Sequence, residues 1–201
     1  MQNIGIFAGS FDPIHDGHLA CATAAQAACS LDRVYFVVEP RPRHKQGVKA
    51  LEHRTAMTRL AISDIADFRQ IMIDEPYCTM NETLPMLRNR FEGDKLFFIM
   101  GDDVARHIAQ WPQLEVLAEQ VELVIVQRSI EPAFIECILA RLKQTQGVQL
   151  RYRFITEATL QRSSLEVRQQ IKRGEQPSGL HPGVWDYIQQ QKLYGSSGFG
   201  S

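Results

Sequence analysis

Short runs of consecutive apolar residues alternate along the chain with longer stretches in which apolar positions recur every three or four residues. The runs at 4–8, 34–38, 70–73, 96–100, 121–126 and 150–155 predict strands. The longer stretches predict helices at about 17–29, 51–62, 81–91, 103–109, 113–119, 131–145, 164–173 and 182–191. Strands that are apolar throughout, rather than at every second position, bury both faces and so need helices on both sides. The expected fold class is therefore α/β, a doubly wound parallel sheet with helices on both faces. One domain over residues 1–194 is expected. The sequence Gly-Ser-Ser-Gly-Phe-Gly-Ser at 195–201 reads as a mobile tail. In open sheets of this kind ligands lie beyond the carboxyl ends of the strands, which directs attention to the loops there.

Composition narrows the classes. The chain has 201 residues, of which 44% are hydrophobic and 22% charged, a globular balance on the scale of one domain. Lys plus Arg number 22 against 23 for Asp plus Glu, so the basic excess that duplex nucleic acid demands is missing. Cysteines 21, 29, 78 and 137 form no CxxC pair and are expected as buried small hydrophobes. No apolar run approaches the roughly 18 residues of a membrane span, and the start lacks a basic leader. A cytoplasmic protein with no membrane or nucleic-acid partner is expected, its oligomeric state left open.

The loop after the first predicted strand reads Gly9-Ser10-Phe11-Asp12-Pro13-Ile14-His15-Asp16-Gly17-His18 and runs into an Ala-rich helix. Gly9 permits a close backbone approach, Asp12-Pro13 favours a turn, and a helix starting near Asp16 or Gly17 aims free N–H groups and a positive dipole end into the crevice. Phosphate is the natural occupant. His15 and His18, three positions apart, can face one anion from the first helical turn and stabilise charge developing on it. As a zinc site the pair lacks a third ligand, so no protein-bound metal is expected.

These residues carry a resemblance. GSFDPIHDGHL is similar to the HxGH signature of the nucleotidyltransferase superfamily, in the form found in bacterial nicotinate-mononucleotide adenylyltransferases. Pro42-Arg43-His44-Lys45, Glu52-His53-Arg54, Gly101-Asp102-Asp103 with Trp111, Ser163-Ser164 with Arg168, and Leu180 to Tyr194 resemble further motifs of that family, so the likeness spans roughly residues 3–194. It implies a Rossmann-like nucleotidyltransferase fold and transfer of AMP from ATP to nicotinate mononucleotide, giving nicotinate adenine dinucleotide and pyrophosphate. His15 and His18 are then the catalytic candidates. Gly9, Ser10, Phe11, Lys45, Ser163, Ser164 and Arg168 are candidates for ATP and its phosphates, and Thr79, Asp103 and Trp111 for the acceptor. Mg²⁺ is expected on the triphosphate itself, since magnesium prefers to keep its waters.

Each motif also has a plainer reading. Ser163-Ser164-Leu165-Glu166 is a capping box, the basic loop is a solvated loop, Asp103 is a helix cap and Trp111 is an aromatic at the core edge. The sequence departs from the family pattern at Leu165, Arg43 and Pro112. It departs again around Tyr77-Cys78-Thr79, where one extra residue separates Thr79 from Thr83. The resemblance implies that this stretch helps to recognise the nicotinate end. Nicotinamide mononucleotide or another phosphorylated small molecule as acceptor, and a nucleotide-binding sensor without turnover, stay open as alternatives.

Overall fold

Six strands pair in parallel into one sheet: β1 (Asn3–Gly9), β2 (Arg33–Val38), β3 (Phe68–Ile71), β4 (Lys95–Gly101), β5 (Val121–Gln127) and β6 (Arg151–Thr156). Their order is β3-β2-β1-β4-β5-β6, the order of Rossmann-type nucleotide-binding sheets. This computed structural model describes residues 1–42, 45–73, 78, 82–127, 130–156 and 163–195. The helices are α1 (Asp16–Cys29), α2 (Leu51–Ile62), α3 (Thr83–Arg90), α4 (Asp102–Ala105), α5 (Leu114–Gln120), α6 (Pro132–Gln146), α7 (Ser164–Lys172) and α8 (Pro182–Gln190).

Successive side chains of the central strands point to opposite faces, so each strand feeds two cores. On one face Phe7, Phe36, Ile99, Val124 and Val126 pack against α1, α2, α7 and α8. On the other Ile6, Val37, Met100, Leu123 and Ile125 pack against α3, α4, α5 and α6. The double burial expected from the continuous apolar runs is met in β1, β2, β4 and β5. It fails in β6, an edge strand whose first three residues are exposed.

Three other expectations need correction. The third strand lies two residues earlier than expected: Phe68 is buried beside Val34, whereas Met72 is turned to solvent. The helix expected at 103–109 is broken into α4 and a 3-10 turn, Ile108–Gln110. His107 N bonds the Val104 carbonyl and Gln110 N that of His107, a three-residue spacing that tightens the chain beyond α-helical geometry. Cys21 and Cys29 are buried and Cys78 is half-buried, but Cys137 is exposed, because the core side of α6 is taken by Ile135, Leu139 and Leu142. Among the described residues no helix is long and apolar enough to cross a membrane.

Candidate active site

The sheet sets the position of the crevice. β1 and β4 are neighbours, yet the chain leaves β1 for α1 on one face and leaves β4 for α4 on the other. The two connections part at the carboxyl ends of these strands, which is where doubly wound sheets receive ligands.

Between β1 and α1 the chain turns sharply. Phe11 has φ 46, left-handed backbone that folds its ring back beneath the loop, edge-on to Phe7 at 5.5 Å between centroids and tilted against Phe36 at 5.6 Å. That ring explains Gly9, since a Cβ there would lie 3.1 Å from it. The Asp12–Pro13 peptide is cis. His15 then caps α1 with extended backbone, and His18 is its third residue. Their rings lie together, centroids 3.9 Å apart and planes tilted by 36°, on one side of the helix start as the three-residue spacing predicted. The His15 backbone N–H donates to His18 Nδ1 at 3.3 Å. With Nδ1 accepting, the neutral His18 ring carries its proton on Nε2, where it is a donor. Phe11 supports the His18 ring edge-on at 5.1 Å.

Side chains from four other segments hold this loop. Lys45 Nζ donates to Ser10 Oγ at 2.8 Å, so the loop after β2 reaches the loop after β1. Arg43 and His44 of that loop lie outside the described residues. Ser164 Oγ donates to the Pro13 carbonyl at 3.0 Å, and an Arg168 Nη to that of Asp12 at 2.7 Å. Both residues expected to meet the triphosphate thus also hold the first loop from α7. Ser163 caps α7 with the predicted reciprocal box, its Oγ accepting from Glu166 N and its N–H donating to Glu166 Oε2.

Two supports carried no assigned role in the sequence. Arg54 of α2 is 1% exposed and donates to the carbonyls of Ser10, Glu39, Pro40 and Lys49 at 2.7–2.9 Å, tying the loops after β1 and β2 together. Burial pushes its guanidinium below its ordinary pKa, and nearby Asp12 opposes the shift. A signal for it existed: Arg54 lies on the buried stripe of α2 with Met57, Thr58 and Ala61, where an unpaired charge would not be tolerated. Tyr194, near the chain's end, donates its hydroxyl to Asp12 Oδ1 at 2.6 Å.

On the β4 side, Asp103 is the exposed second residue of α4, whose cap is Gly101, so the plain reading of Asp103 as the cap does not hold. Its buried neighbour Asp102 accepts from Ile130 N at 2.8 Å and fastens this loop to the one after β5. Trp111 is half-buried and stands edge-on to Phe98 at 6.1 Å. Thr79 lies outside the described residues.

The donors reaching the loop are imidazole, ammonium, guanidinium and hydroxyl groups, and the Asp12 carboxylate already accepts from Tyr194 and from Lys49 N. Such a set suits a polyphosphate that brings its own metal ion on its oxygens. Among the described residues no group of three or more His, Cys, Asp or Glu is placed to hold a metal.

Comparison with known proteins shows the family and agrees with the fold. The profile of the cytidylyltransferase-like family matches residues 6–170. A Thermus thermophilus protein named probable nicotinate-nucleotide adenylyltransferase is 37% identical over 197 residues, covering 96% of this chain and 100% of its own. The nicotinate-nucleotide adenylyltransferase of Bacillus subtilis is 34% identical over 134 residues, 64% of this chain and 70% of its own. The solved structure of Plasmodium falciparum nicotinic acid mononucleotide adenylyltransferase complexed with NaAD superposes with a TM-score of 0.79 at 19% identity, covering 98% and 99% of the two chains.

Proposed function

The chain belongs to the cytidylyltransferase-like family, and from that membership we infer that it is a nicotinate-nucleotide adenylyltransferase of the cytoplasm, working in NAD biosynthesis. It moves AMP from ATP to nicotinate mononucleotide. An acceptor phosphate oxygen attacks the α-phosphorus, the bond from that phosphorus to the oxygen bridging to the β-phosphate breaks, and pyrophosphate leaves with the electron pair. The acceptor brings its own nucleophilic oxygen, so the chain contributes positioning and charge stabilisation.

The single observation that carries this reading is the close His15–His18 pair at the first turn of α1, at the carboxyl end of β1. From there Nε2–H of His18 and the amino end of the helix can donate to oxygens of the α-phosphate as charge accumulates. Lys45 and Arg168 flank the same loop and supply positive charge for the β- and γ-phosphates, with Ser10, Ser163 and Ser164 as hydroxyl donors beside them. Gly9 and Phe11 give the loop its close approach. Asp103 and Trp111, on the far wall, serve the acceptor, together with Thr79. Mg²⁺ on the triphosphate would neutralise charge and orient the leaving pyrophosphate.

The test is a pyrophosphate-release screen of ATP and CTP against nicotinate mononucleotide, nicotinamide mononucleotide and phosphopantetheine, with the dinucleotide product identified by mass. Turnover with ATP and nicotinate mononucleotide is expected; binding of nucleotide without release of pyrophosphate would overturn the reading.

A further inference from the structure

After α8 the chain makes one more short turn, Leu193–Gly195, and buries Leu193 and Tyr194 among α7 and α8. Tyr194 has φ 58 and ψ 19, left-handed backbone that a residue with a Cβ rarely adopts and that surrounding structure must hold in place. Lys192, two residues earlier, also has positive φ. A tyrosine kept in this conformation at 5% exposure calls for a reason beyond covering the core with a ring.

Its hydroxyl supplies one. It donates to Oδ1 of Asp12, 182 positions earlier, and Asp12 is itself 3% exposed. The same oxygen accepts from Lys49 N at 3.2 Å, the other faces Arg168 at 3.8 Å, and the Asp12 carbonyl accepts from Arg168. Asp12 therefore takes donors from three segments, and it stands three residues before His15 and six before His18. Burial, and then the Asp12 carboxylate, push the Tyr194 phenol far above its ordinary pKa, so it remains a donor throughout the neutral range. The Lys49 ammonium lies 5.5 Å from the Tyr194 ring centre and adds to the clamp.

We propose that Tyr194 is a positioning residue for adenylyl transfer: its hydroxyl fixes the Asp12 carboxylate, and through it the turn that presents His15 and His18 to the reacting phosphates. The proposal rests on the adenylyltransferase reading. It predicts that the hydroxyl, not the ring, matters for turnover, and that its effect passes through the histidines.

Tyr194→Phe keeps the ring and removes the donor. With saturating ATP and nicotinate mononucleotide, kcat is expected to fall about tenfold while KM for each substrate moves less than about threefold. Put into a His18→Ala chain, the same change is expected to lower kcat by less than about twofold, because the geometry it protects no longer aims an imidazole. A role confined to stability would reduce both chains by the same folded fraction, which circular dichroism under assay conditions measures directly. Parental kcat in Tyr194→Phe, a loss lying wholly in KM, or an equal loss in the His18→Ala chain would overturn the proposal. Should Tyr194→Phe not fold, Asp12→Asn preserves volume and leaves the hydroxyl only a neutral acceptor; a fall in kcat that vanishes in the His18→Ala chain is expected from it, and parental kcat would overturn the proposal. Turnover of the parent chain is measured first, so failure of the adenylyltransferase reading is told apart from failure of this one.

Discussion

The buried guanidinium of Arg54 donates to the carbonyl oxygen of Ser10 at 2.9 Å, and with its remaining N–H groups it gathers the carbonyls of Glu39, Pro40 and Lys49. A helix on one side of the sheet thereby dictates the course of two ligand loops. Arg54→Met retains much of the length and volume but leaves those carbonyls without their donor. Each buried group stripped of its partner costs about 1–3 kcal/mol, so a net loss of about 3 kcal/mol or more is expected. Urea denaturation at an unchanged m-value measures it. A loss under about 1 kcal/mol would mean that water replaces the guanidinium and that the loops do not depend on it.

His18→Ala removes one imidazole of the close pair. The expected fall in kcat/KM is about 10²–10³-fold, the range for one preorganised donor to developing charge. Thermal unfolding should shift little, since His18 is only half-buried. Turnover at the parental rate, or a loss traced to unfolding, would remove His18 from the chemistry.

Arg168→Lys preserves charge but not the planar fork, and an ammonium's donors on one nitrogen cannot span the separate positions that the guanidinium's two Nη groups reach, one of them already on the Asp12 carbonyl. About a tenfold fall in kcat/KM for ATP is expected, with acceptor KM nearly unchanged. Initial rates with each substrate varied in turn separate the two. A defect confined to the acceptor would move Arg168 to the other half of the pocket.

Nicotinate mononucleotide should be preferred to its amide. A charge-assisted hydrogen bond contributes about 1.5–3 kcal/mol, and one such bond made only to the acid gives at least about tenfold in kcat/KM. Steady-state kinetics with both acceptors at one ATP concentration decides it. Equal values would sink acid specificity and leave adenylyl transfer standing.

Tyr194 also predicts the alkaline behaviour of the fold. Its folded pKa is raised by burial and by Asp12, whereas in the unfolded chain it ionises near pH 10. Its stabilising contribution is therefore complete below about pH 10 and is lost as pH rises beyond it, at about 1.4 kcal/mol per pH unit. Urea midpoints at pH 9, 10 and 11 should fall less steeply in Tyr194→Phe than in the parent. Parallel curves would show that the phenol is not protected.

Much of this architecture was legible because burial writes itself into the sequence. Four central strands announced themselves as largely apolar runs, interrupted only by Gly5 in β1 and Glu122 in β5, and the spacing of His15 and His18 set both rings on one side of the helix start. What escaped were features set by partners distant along the chain. Arg151 and Arg153 interrupt the apolar pattern of β6, a mark that suits an edge strand, but its place beside β5 is decided by crossovers rather than by local pattern. The break after Ala105 depends on where Ile108 finds a place in the core. Ser164 and Arg168 were read as facing the ligand, and their bonds to Pro13 and Asp12 depend on a turn some 150 positions earlier. Arg54 belongs to the Glu52-His53-Arg54 motif, but its hold on the loop carbonyls depends on residues up to 44 positions away.

The order in which a ribosome makes this chain now acquires a meaning. The turn bearing the two histidines is synthesised well before Ser164, Arg168 and Tyr194, which hold it from 151 to 182 positions further along. A nascent chain halted after β6 would own every strand and the histidine pair, yet lack three of the side chains that frame them. The histidine turn is therefore framed only after the sheet is complete, and a chain cut back to before Leu193 is expected to look nearly intact to a spectroscopist while lacking one of the clamps on that turn.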